Sequence, residues 1–393
     1  MIITKRSALF LDGTWNTGSD NTNVWRLRSL CVADADQAVY YSDGVGTKKG
    51  ERIIGGMFGW GLDDEVLRAY KWLVETHVEG ARLFIFGFSR GAFTARSLAG
   101  FISRCGLIQP GSPISLKQLY RRYQRGNTVR SIRELQKTDP ATLSLEDRWL
   151  RKYSRPTPVY FQGVWDTVGA LGVPFGHIPI ISRSDYKFLE VDLHIDQTYA
   201  YHAMAIDEHR IAFAPTLWQR VTRVGVQAYP PRALADVEQR WFSGAHSDVG
   251  GGYDNDVLAQ VPLRWIMGKA AKLGLRFRDL ADIDGDIEHS GIHNSFTEMA
   301  WGFYAASKFW VPYYREIGRS SMNRGGAEIA PINETIDASV FERWRALGAY
   351  RPRNLVQWAA ARNLKPDTIN TGVFAKSGEP LANNGTDAQA PAD

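Results

Sequence analysis

The sequence around Ser89 constrains the fold more strongly than any other stretch of the chain. The apolar run Leu83–Phe86 stops at Gly87, a serine follows between two bulky residues, and the chain restarts as a helix-compatible segment after Gly91. A continuous apolar run is typical of a strand buried on both faces, because an exposed face would carry alternating polar residues. A sharp turn from strand to helix needs glycine where neighbouring backbones approach closely. The stretch therefore predicts a strand, a tight turn that presents Ser89, and a helix over about 91–103.

The same alternation of strand and helix recurs along the chain. Buried strands are predicted at 8–11, 38–42, 82–86, 158–165 and 240–244, and helices at 23–30, 63–77, 197–209, 257–272 and 295–310. Continuous apolar strands separated by helices indicate an α/β fold with a mostly parallel central sheet flanked by helices.

The domain organisation follows from how composition changes along the chain. We expect a single domain over 1–365, with a basic helical insertion at about 110–157 and a segment covering a cleft at about 173–196. Residues 366–393 are rich in Asn, Gly, Thr, Ala and Pro, which predicts a disordered tail.

Composition excludes several classes of protein. The chain is 44% apolar and 23% charged, as expected for a globular protein, and its net charge of +5 is mild for 393 residues. No basic run is dense enough to indicate a nucleic-acid partner. The two cysteines, Cys31 and Cys105, make neither a disulfide framework nor a zinc site, and we predict no metal and no cofactor. No signal peptide or membrane-spanning run is evident, which predicts synthesis in the cytoplasm and leaves signal-less export open.

Ser89 is the candidate nucleophile, within the pattern Gly87-x-Ser89-x-Gly91. The pattern is short, and its strand-turn-helix context is what favours a nucleophile over an incidental serine. A serine also needs a base and an orienting carboxylate. Asp166 and His246 each follow a predicted strand, and catalytic groups gather at the carboxyl ends of strands in open α/β sheets. We therefore predict Asp166 as the acid and His246 as the base.

Two alternatives remain open at this stage. His202 is the next candidate base, although its predicted helix also contains Asp207 and Arg210 and favours a salt-bridge network. Asp248 either supports a neighbouring loop or replaces Asp166 as the acid. The other histidines lack a strand-end setting and are interpreted as surface or structural residues: His77, His177, His194, His209, His289 and His293.

The turn Asp12-Gly13-Thr14 follows the first predicted strand. Backbone N–H groups of Gly13 or Thr14 could join the N–H of Arg90 as an oxyanion hole, with Asp12 shaping the turn. A strand end capped by an aspartate is an equally good interpretation of the same residues.

The basic helical segment is interpreted first as a solvated face. It carries Lys117, Arg121, Arg122 and Arg125, interleaved with Leu119, Tyr120 and Tyr123. That interleaving leaves a membrane-surface role as the alternative.

Five motifs together resemble a known family. LFLDGTWN, GFSRGAFTAR, GVWDTVGA, HAMAIDEHR with a nearby PTLW, and WFSGAHSDVGGGY occur in this order between Leu9 and Tyr253. They resemble a bacterial α/β-hydrolase domain family whose best-known members are type VI secretion phospholipase effectors of the first lipase-effector class. The resemblance implies a Ser-Asp-His triad, which falls on Ser89, Asp166 and His246, and action on the acyl esters of glycerophospholipids.

The sequence thus predicts a serine hydrolase that cleaves carboxylic esters of lipids, with phospholipase A-type activity and an antibacterial effector role implied by the resemblance. The predicted partners are a lipid or other ester substrate and a peripheral membrane contact, with no immunity or secretion partner identified. A soluble carboxylesterase or acyltransferase is the first alternative. A non-catalytic scaffold is the second.

Overall fold

The structure is a computed structural model of the 393-residue chain. It describes residues 4–13, 20–44, 60–169, 193–194, 196–222, 231–254, 256–298, 310–322 and 326–381. Most of the segment predicted to cover a cleft (173–196) and the end of the predicted tail (382–393) lie outside these residues.

The strands, numbered in chain order, are β1 Arg6–Leu11, β2 Gln37–Ser42, β3 Arg82–Phe88, β4 Leu107–Ile108, β5 Ser154–Arg155, β6 Val159–Trp165, β7 Gln197–Ala205, β8 Gln219–Thr222, β9 Val237–Phe242, β10 Ser321–Met322, β11 Glu328–Pro331, β12 Glu334–Ile336 and β13 Val373–Phe374. The helices are α1 Asn23–Leu30, α2 Trp60–Thr76, α3 Arg90–Cys105, α4 Leu116–Gln124, α5 Ile132–Lys137, α6 Leu145–Tyr153, α7 His246–Gly250, α8 Val257–Lys272, α9 Ser295–Glu298, α10 Ala338–Ala346 and α11 Arg353–Ala360.

Contacts between residues divide the chain into two compact units, and the single domain over 1–365 stays a prediction. The first unit comprises residues 1–19 and 31–200, and the second comprises 20–30 and 201–393. The chain leaves the first unit for the eleven residues that contain α1, which composition alone does not reveal.

The first unit is built on parallel strands in the order β2-β1-β3-β6, with helices α2 and α3 packed on the sheet. Strands β1, β3 and β6 are buried almost throughout, and the rings of Phe10 and Phe86 stack between β1 and β3 with centroids 5.0 Å apart. This is the burial that continuous apolar runs predict for a parallel sheet covered on both faces.

The insertion after α3 consists of three short helices, α4 to α6. Each begins after a serine whose side chain accepts a hydrogen bond from the third helical N–H: Ser115 from Gln118, Ser131 from Glu134 and Ser144 from Asp147. These caps define the helices because the first N–H groups of a helix have no partner within it.

The second unit has strands in the order β7-β9-β12-β13, with β9 and β12 parallel and β12 and β13 antiparallel. A core cluster joins these strands to α10 and α11 and includes Trp241, Phe341, Leu355 and Trp358. A separate antiparallel sheet of order β10-β11-β8 belongs to the same unit. The central strands therefore follow the predicted α/β architecture, a mostly parallel sheet with flanking helices.

Two predictions about secondary structure are wrong. Residues 197–209 do not form a helix, because Gln197–Ala205 is strand β7 and is almost entirely buried. A short apolar run does not distinguish a buried strand from a buried helix by its periodicity. Residues 366–381 are not a disordered tail, since Val373 and Phe374 pair with β12 and Ala375 is fully buried. This segment is ordered by its contacts with residues distant in the chain, and such contacts cannot be inferred from the composition of the segment.

Candidate active site

Ser89 lies in a strained turn between β3 and α3. Its backbone has φ 59° and ψ −122°, a region that residues with a side chain rarely adopt. Its N–H donates to the Trp165 carbonyl at 3.0 Å, and its carbonyl accepts from the Phe93 N–H at 3.2 Å. The side chain makes no capping hydrogen bond to α3, although serine is a favoured cap residue. The turn therefore holds Ser89 in place without using its hydroxyl to cap the helix.

The two glycines that flank Ser89 are required by close backbone contacts. A Cβ on Gly87 would lie 2.4 Å from the Gly91 carbonyl oxygen, and a Cβ on Gly91 would lie 2.2 Å from the Leu11 oxygen and 2.3 Å from the Asp12 oxygen. These neighbours are backbone atoms and cannot rotate away. Neither Gly87 nor Gly91 therefore has room for a side chain, and the end of β1 lies against the start of α3.

Asp166 lies at the same edge of the first unit as Ser89. Phe88 and Trp165 are paired in the parallel β3–β6 register, so the residues that follow them leave neighbouring strands side by side. Asp166 is fully buried, and its backbone also has a positive φ, of 38°. The first unit thus brings the candidate nucleophile and the candidate acid to one edge of its sheet.

The predicted oxyanion turn follows β1. Asp12 is buried, and its carboxylate accepts from the Gly13 N–H at 2.7 Å and from the Tyr41 hydroxyl at 3.1 Å. The Gly13 donor is thus engaged within its own turn in this structure. Thr14 lies outside the described residues. Arg90 is the first residue of α3, so its N–H is among those without an acceptor inside the helix.

Glu65 is a buried carboxyl beside this turn that the sequence reasoning missed. The hydroxyl of Thr94, near the start of α3, lies 3.4 Å from the Glu65 carboxylate. Burial raises the pKa of Glu65 to about 8, although Ser42, Arg68 and Thr94 oppose the shift. Burial also lowers the pKa of Arg90 to about 10, against the attraction of Glu65. The sequence signal that could have revealed a buried carboxyl is the position of Glu65 on the apolar face of α2.

His246 begins α7 in the second unit, four residues after β9 ends. It is 5% exposed, and its ring packs edge-on against Phe213 with centroids 4.9 Å apart. Its N–H lies 3.3 Å from a carboxylate oxygen of Glu208, which also binds Arg210 through two oxygens. Burial alone would raise the pKa of Glu208, but Arg210 and Arg315 hold it at about 2. A permanently ionised Glu208 thus supports the backbone of His246.

Asp248 contacts a histidine other than His246. Its carboxylate accepts from the Ala245 N–H at 2.9 Å and from the N–H and Nδ1 of His293 at 3.1 and 2.6 Å. Burial raises its pKa against these hydrogen bonds. The contacts fit the loop-supporting alternative of the sequence analysis. They also identify His293, stacked on Tyr253 at 3.7 Å, as a residue of this cluster that had been interpreted as surface or structural.

His202, the second candidate base, lies inside β7 of the second unit and is fully buried. Its Nδ1 lies 3.4 Å from the Gln239 amide oxygen, and its ring packs edge-on against Trp218. Arg210 forms a salt bridge with Glu208, a carboxylate that the sequence analysis did not name. Asp207 accepts from the Gly244 N–H at 2.7 Å and from the Tyr350 hydroxyl at 3.1 Å. Burial raises its pKa to about 7.

Within the described part of the chain, no group of three His, Cys, Asp or Glu residues is placed to hold a metal ion. In the same residues, no helix is long and apolar enough to cross a membrane.

Comparisons with known proteins were made on the sequence and on the fold. A family model described as "T6SS, Phospholipase effector Tle1-like, catalytic domain" matches residues 5–269. An uncharacterized protein of Saccharomyces cerevisiae is 23% identical over 75% of this chain, which spans 61% of the length of that relative.

Two solved structures are similar at low identity. An uncharacterized protein from Pseudomonas aeruginosa matches 72% of this chain and 49% of its own, with 18% identity and a TM-score of 0.46. The Tle1 effector bound to the VgrG spike of the type 6 secretion system matches 84% of this chain and 92% of its own, with 14% identity and a TM-score of 0.39.

Proposed function

The chain belongs to the T6SS phospholipase effector Tle1-like family by its catalytic domain, and we propose that it is a serine hydrolase that cleaves carboxylic ester bonds of phospholipids. The observation that carries the proposal is the turn at Ser89. A serine with φ 59°, enclosed by two glycines that have no room for a Cβ, has the features of a nucleophile elbow. Strain of this kind persists where the surrounding structure enforces it, and it concentrates at functional sites.

We assign the acid to Asp166 and the base to His246. Asp166 leaves the strand next to that of Ser89 and is fully buried, as an orienting carboxylate is in such triads. His246 follows a strand end, and the chain order Ser, Asp, His is the one α/β-hydrolases use. Two histidines of the first unit are poorly placed for the role, since His77 bonds Ser7 near the start of β1 and His194 precedes β7.

The proposed reaction runs through an acyl-enzyme. His246 takes the proton of Ser89 as Oγ attacks the acyl carbonyl, and Asp166 holds the imidazole in the required tautomer. The N–H of Arg90 stabilises the tetrahedral oxyanion, and the Gly13 N–H becomes the second donor when it exchanges the Asp12 carboxylate for the oxyanion. The lysophospholipid alcohol leaves with the proton from His246. His246 then deprotonates a water molecule, which attacks the acyl-serine. The fatty acid is released, and the Ser89 hydroxyl regains its proton from His246.

The biological role is proposed from the family alone. Members are described as effectors of a type VI secretion system, so we propose export without a cleaved signal and action on a target cell's phospholipid. Directing the wild-type chain and its Ser89→Ala variant to the periplasm of a test bacterium examines this role. Lysis by the wild type only is expected, and equal growth of both strains would contradict it.

The catalytic proposal is tested with Ser89→Ala. Losing the nucleophile should lower turnover of phospholipid vesicles at least about 10³-fold, because the acyl-enzyme cannot form. Product masses report which ester is cleaved, and Ser112→Ala, a serine of a loop in the same unit, is the matched control.

A soluble p-nitrophenyl ester assayed in parallel separates a phospholipase from a carboxylesterase. Labelling by a fluorophosphonate probe separates both from a non-catalytic scaffold. Undiminished hydrolysis by Ser89→Ala would reject the assignment of the nucleophile.

A further inference from the structure

The helical insertion of the first unit carries an apolar groove. Helices α4 and α6 enclose a cavity of about 580 Å³ that opens at the surface. Its apolar lining includes Ile114, Leu119, Leu145, Trp149 and Leu150. Leu145 is 70% exposed and Trp149 is 41% exposed, one helical turn apart on α6. Large apolar side chains that share one exposed groove indicate a surface that contacts another molecule.

The insertion also holds the positive charge of the whole chain. Residues 116–153 contain ten basic and four acidic residues, a net charge of +6, whereas the complete chain has a net charge of +5. The remaining residues are therefore close to neutral, with a net charge of −1. A charge so concentrated attracts an anionic partner to this surface and not to the rest of the protein.

The charges are divided between those that build the groove and those that remain at its rim. Arg122 is buried and binds Asp147 at 2.6 Å and Glu146 at 3.5 Å, which fastens α4 to α6. Lys117 and Arg121 lie one turn apart on α4, are exposed, and form no ion pair with any residue in the described ranges. These two cations are available for a partner.

The insertion is anchored to α2 and to α3, the helices before and after the strand that leads to Ser89. The Tyr120 hydroxyl, on α4, donates to Asp63 in the first turn of α2 at 2.6 Å. Two residues later, Glu65 lies beside Thr94, near the start of α3. The insertion also packs on Phe101, in the second half of α3, so it is fixed to both helices that flank β3 in the chain.

We propose that this groove docks the protein on an anionic phospholipid surface, with Leu145 and Trp149 entering the acyl boundary and Lys117 and Arg121 binding lipid phosphates. Apolar Leu and Trp beside Lys and Arg are the combination that binds membrane interfaces. A nucleic acid as the partner would bind the cations but would leave the apolar side chain of Leu145 exposed to water. The choice of lipid as the partner rests on the proposed function, whereas the groove and its charge do not.

The test measures vesicle binding in the Ser89→Ala background, so that substrate turnover does not change the membrane. Vesicles of phosphatidylcholine with and without phosphatidylglycerol are floated with the full chain and with the variants Lys117→Glu/Arg121→Glu and Leu145→Ser/Trp149→Ser. We expect binding to require the anionic lipid and the charge reversal to weaken it at least about 25-fold, about fivefold for each cation. The control variants are Lys5→Glu/Lys365→Glu, with the same change of charge at exposed sites outside the groove, and Val356→Ser, an exposed apolar residue of α11.

The outcomes separate docking from catalysis. With Ser89 intact, the ratio of vesicle to soluble-ester hydrolysis should fall in the groove variants and stay constant in the controls. Anionic vesicle binding without any hydrolysis would support docking and reject the proposed function. Binding that is indifferent to lipid charge or to the groove variants would overturn the proposal. Loss of self-association in the groove variants, without loss of vesicle binding, would assign the groove to a second copy of the chain.

Discussion

At the scale of single residues, the site is determined by backbone positions that tolerate few amino acids. Ser89 and Asp166 both have a positive φ, at 59° and 38°, and they follow paired residues of neighbouring strands. Each conformation costs on the order of 1–3 kcal/mol and persists because the packed sheet enforces it. Gly91 has no such strain, but its neighbours leave no volume for a side chain.

Replacing Gly91 with alanine should therefore disrupt the elbow. The new Cβ would meet the Leu11 and Asp12 carbonyl oxygens at 2.2 and 2.3 Å, and separating them should lower the free energy of unfolding by about 1–3 kcal/mol. Hydrolysis should fall with it, because Ser89 moves. Gly268, in α8, has no atom within 4 Å of the position that a Cβ would take, so Gly268→Ala should instead stabilise the chain by about 1 kcal/mol. Urea unfolding of both variants measures the difference, and equal effects would contradict the packing argument.

The two histidines of the second unit's cluster should differ in function. We expect His246→Ala to lower kcat/KM for a soluble ester by about 10³-fold or more, since it removes the proposed base. His293→Ala should lower kcat/KM by less than about a hundredfold. His293 contacts Asp248, which accepts from the N–H of Ala245, the residue before His246, so its effect on the proposed base is indirect. A greater loss in His293→Ala than in His246→Ala would transfer the base to the His293–Asp248 pair.

At the scale of elements, short segments from distant parts of the chain support the ones that carry the site. Asn23, at the start of α1, donates through its amide to the carbonyls of Val249 and Ala259 at 2.9 and 2.8 Å. It thereby joins α7, which begins with His246, to α8. Strand β13 similarly covers β12 at the end of the second unit's sheet.

Truncation after Lys365 should destabilise the second unit. It removes β13, uncovers the buried side chain of Ile336, and leaves the Trp358 indole N–H without the Ala375 carbonyl that it binds at 2.7 Å. An exposed core residue and an unpaired buried donor together cost about 3–5 kcal/mol. A chain that ends at Leu381, which keeps all of these contacts, is the control. Identical urea midpoints for the two truncations would show that the segment contributes nothing.

At the scale of the whole molecule, each unit contains a buried carboxyl that is protonated near neutral pH. Burial raises the pKa of Glu65 to about 8 in the first unit and that of Asp207 to about 7 in the second. The folded chain keeps these protons at a pH where the unfolded chain has released them. Stability from these groups is therefore fully present below about pH 4 and is lost as pH rises to the folded values.

The free energy of unfolding should accordingly fall between about pH 5 and pH 7, by up to about 1.4 kcal/mol per pH unit for each carboxyl. Glu65→Gln and Asp207→Asn should each flatten that slope, because the substituted amide does not titrate. Glu75→Gln, at an exposed position of α2, is the matched control. Urea unfolding at several pH values measures the slope, and an unchanged slope in both buried variants would reject these pKa shifts.

The sequence alone determined the parts of this protein that depend on local pattern. Helices α1 and α8 begin and end where their periodicity predicted, and the apolar runs of β1, β3 and β6 formed parallel strands buried on both faces. Gly87 and Gly91 indicated the elbow, because a tight strand-to-helix turn excludes side chains there.

Only the tertiary structure decided what depends on residues distant in the chain. Strand β7 looked helical, and β13 looked disordered, until burial against other strands favoured extended backbone over their local preferences. Three further features depend on segments that are distant in the chain and carry no local signal of each other. They are the division into two units, the burial of Glu65 and the pairing of His293 with Asp248. The physical reason is the same in each case: burial and cross-chain hydrogen bonds outweigh the small free-energy differences that local sequence encodes.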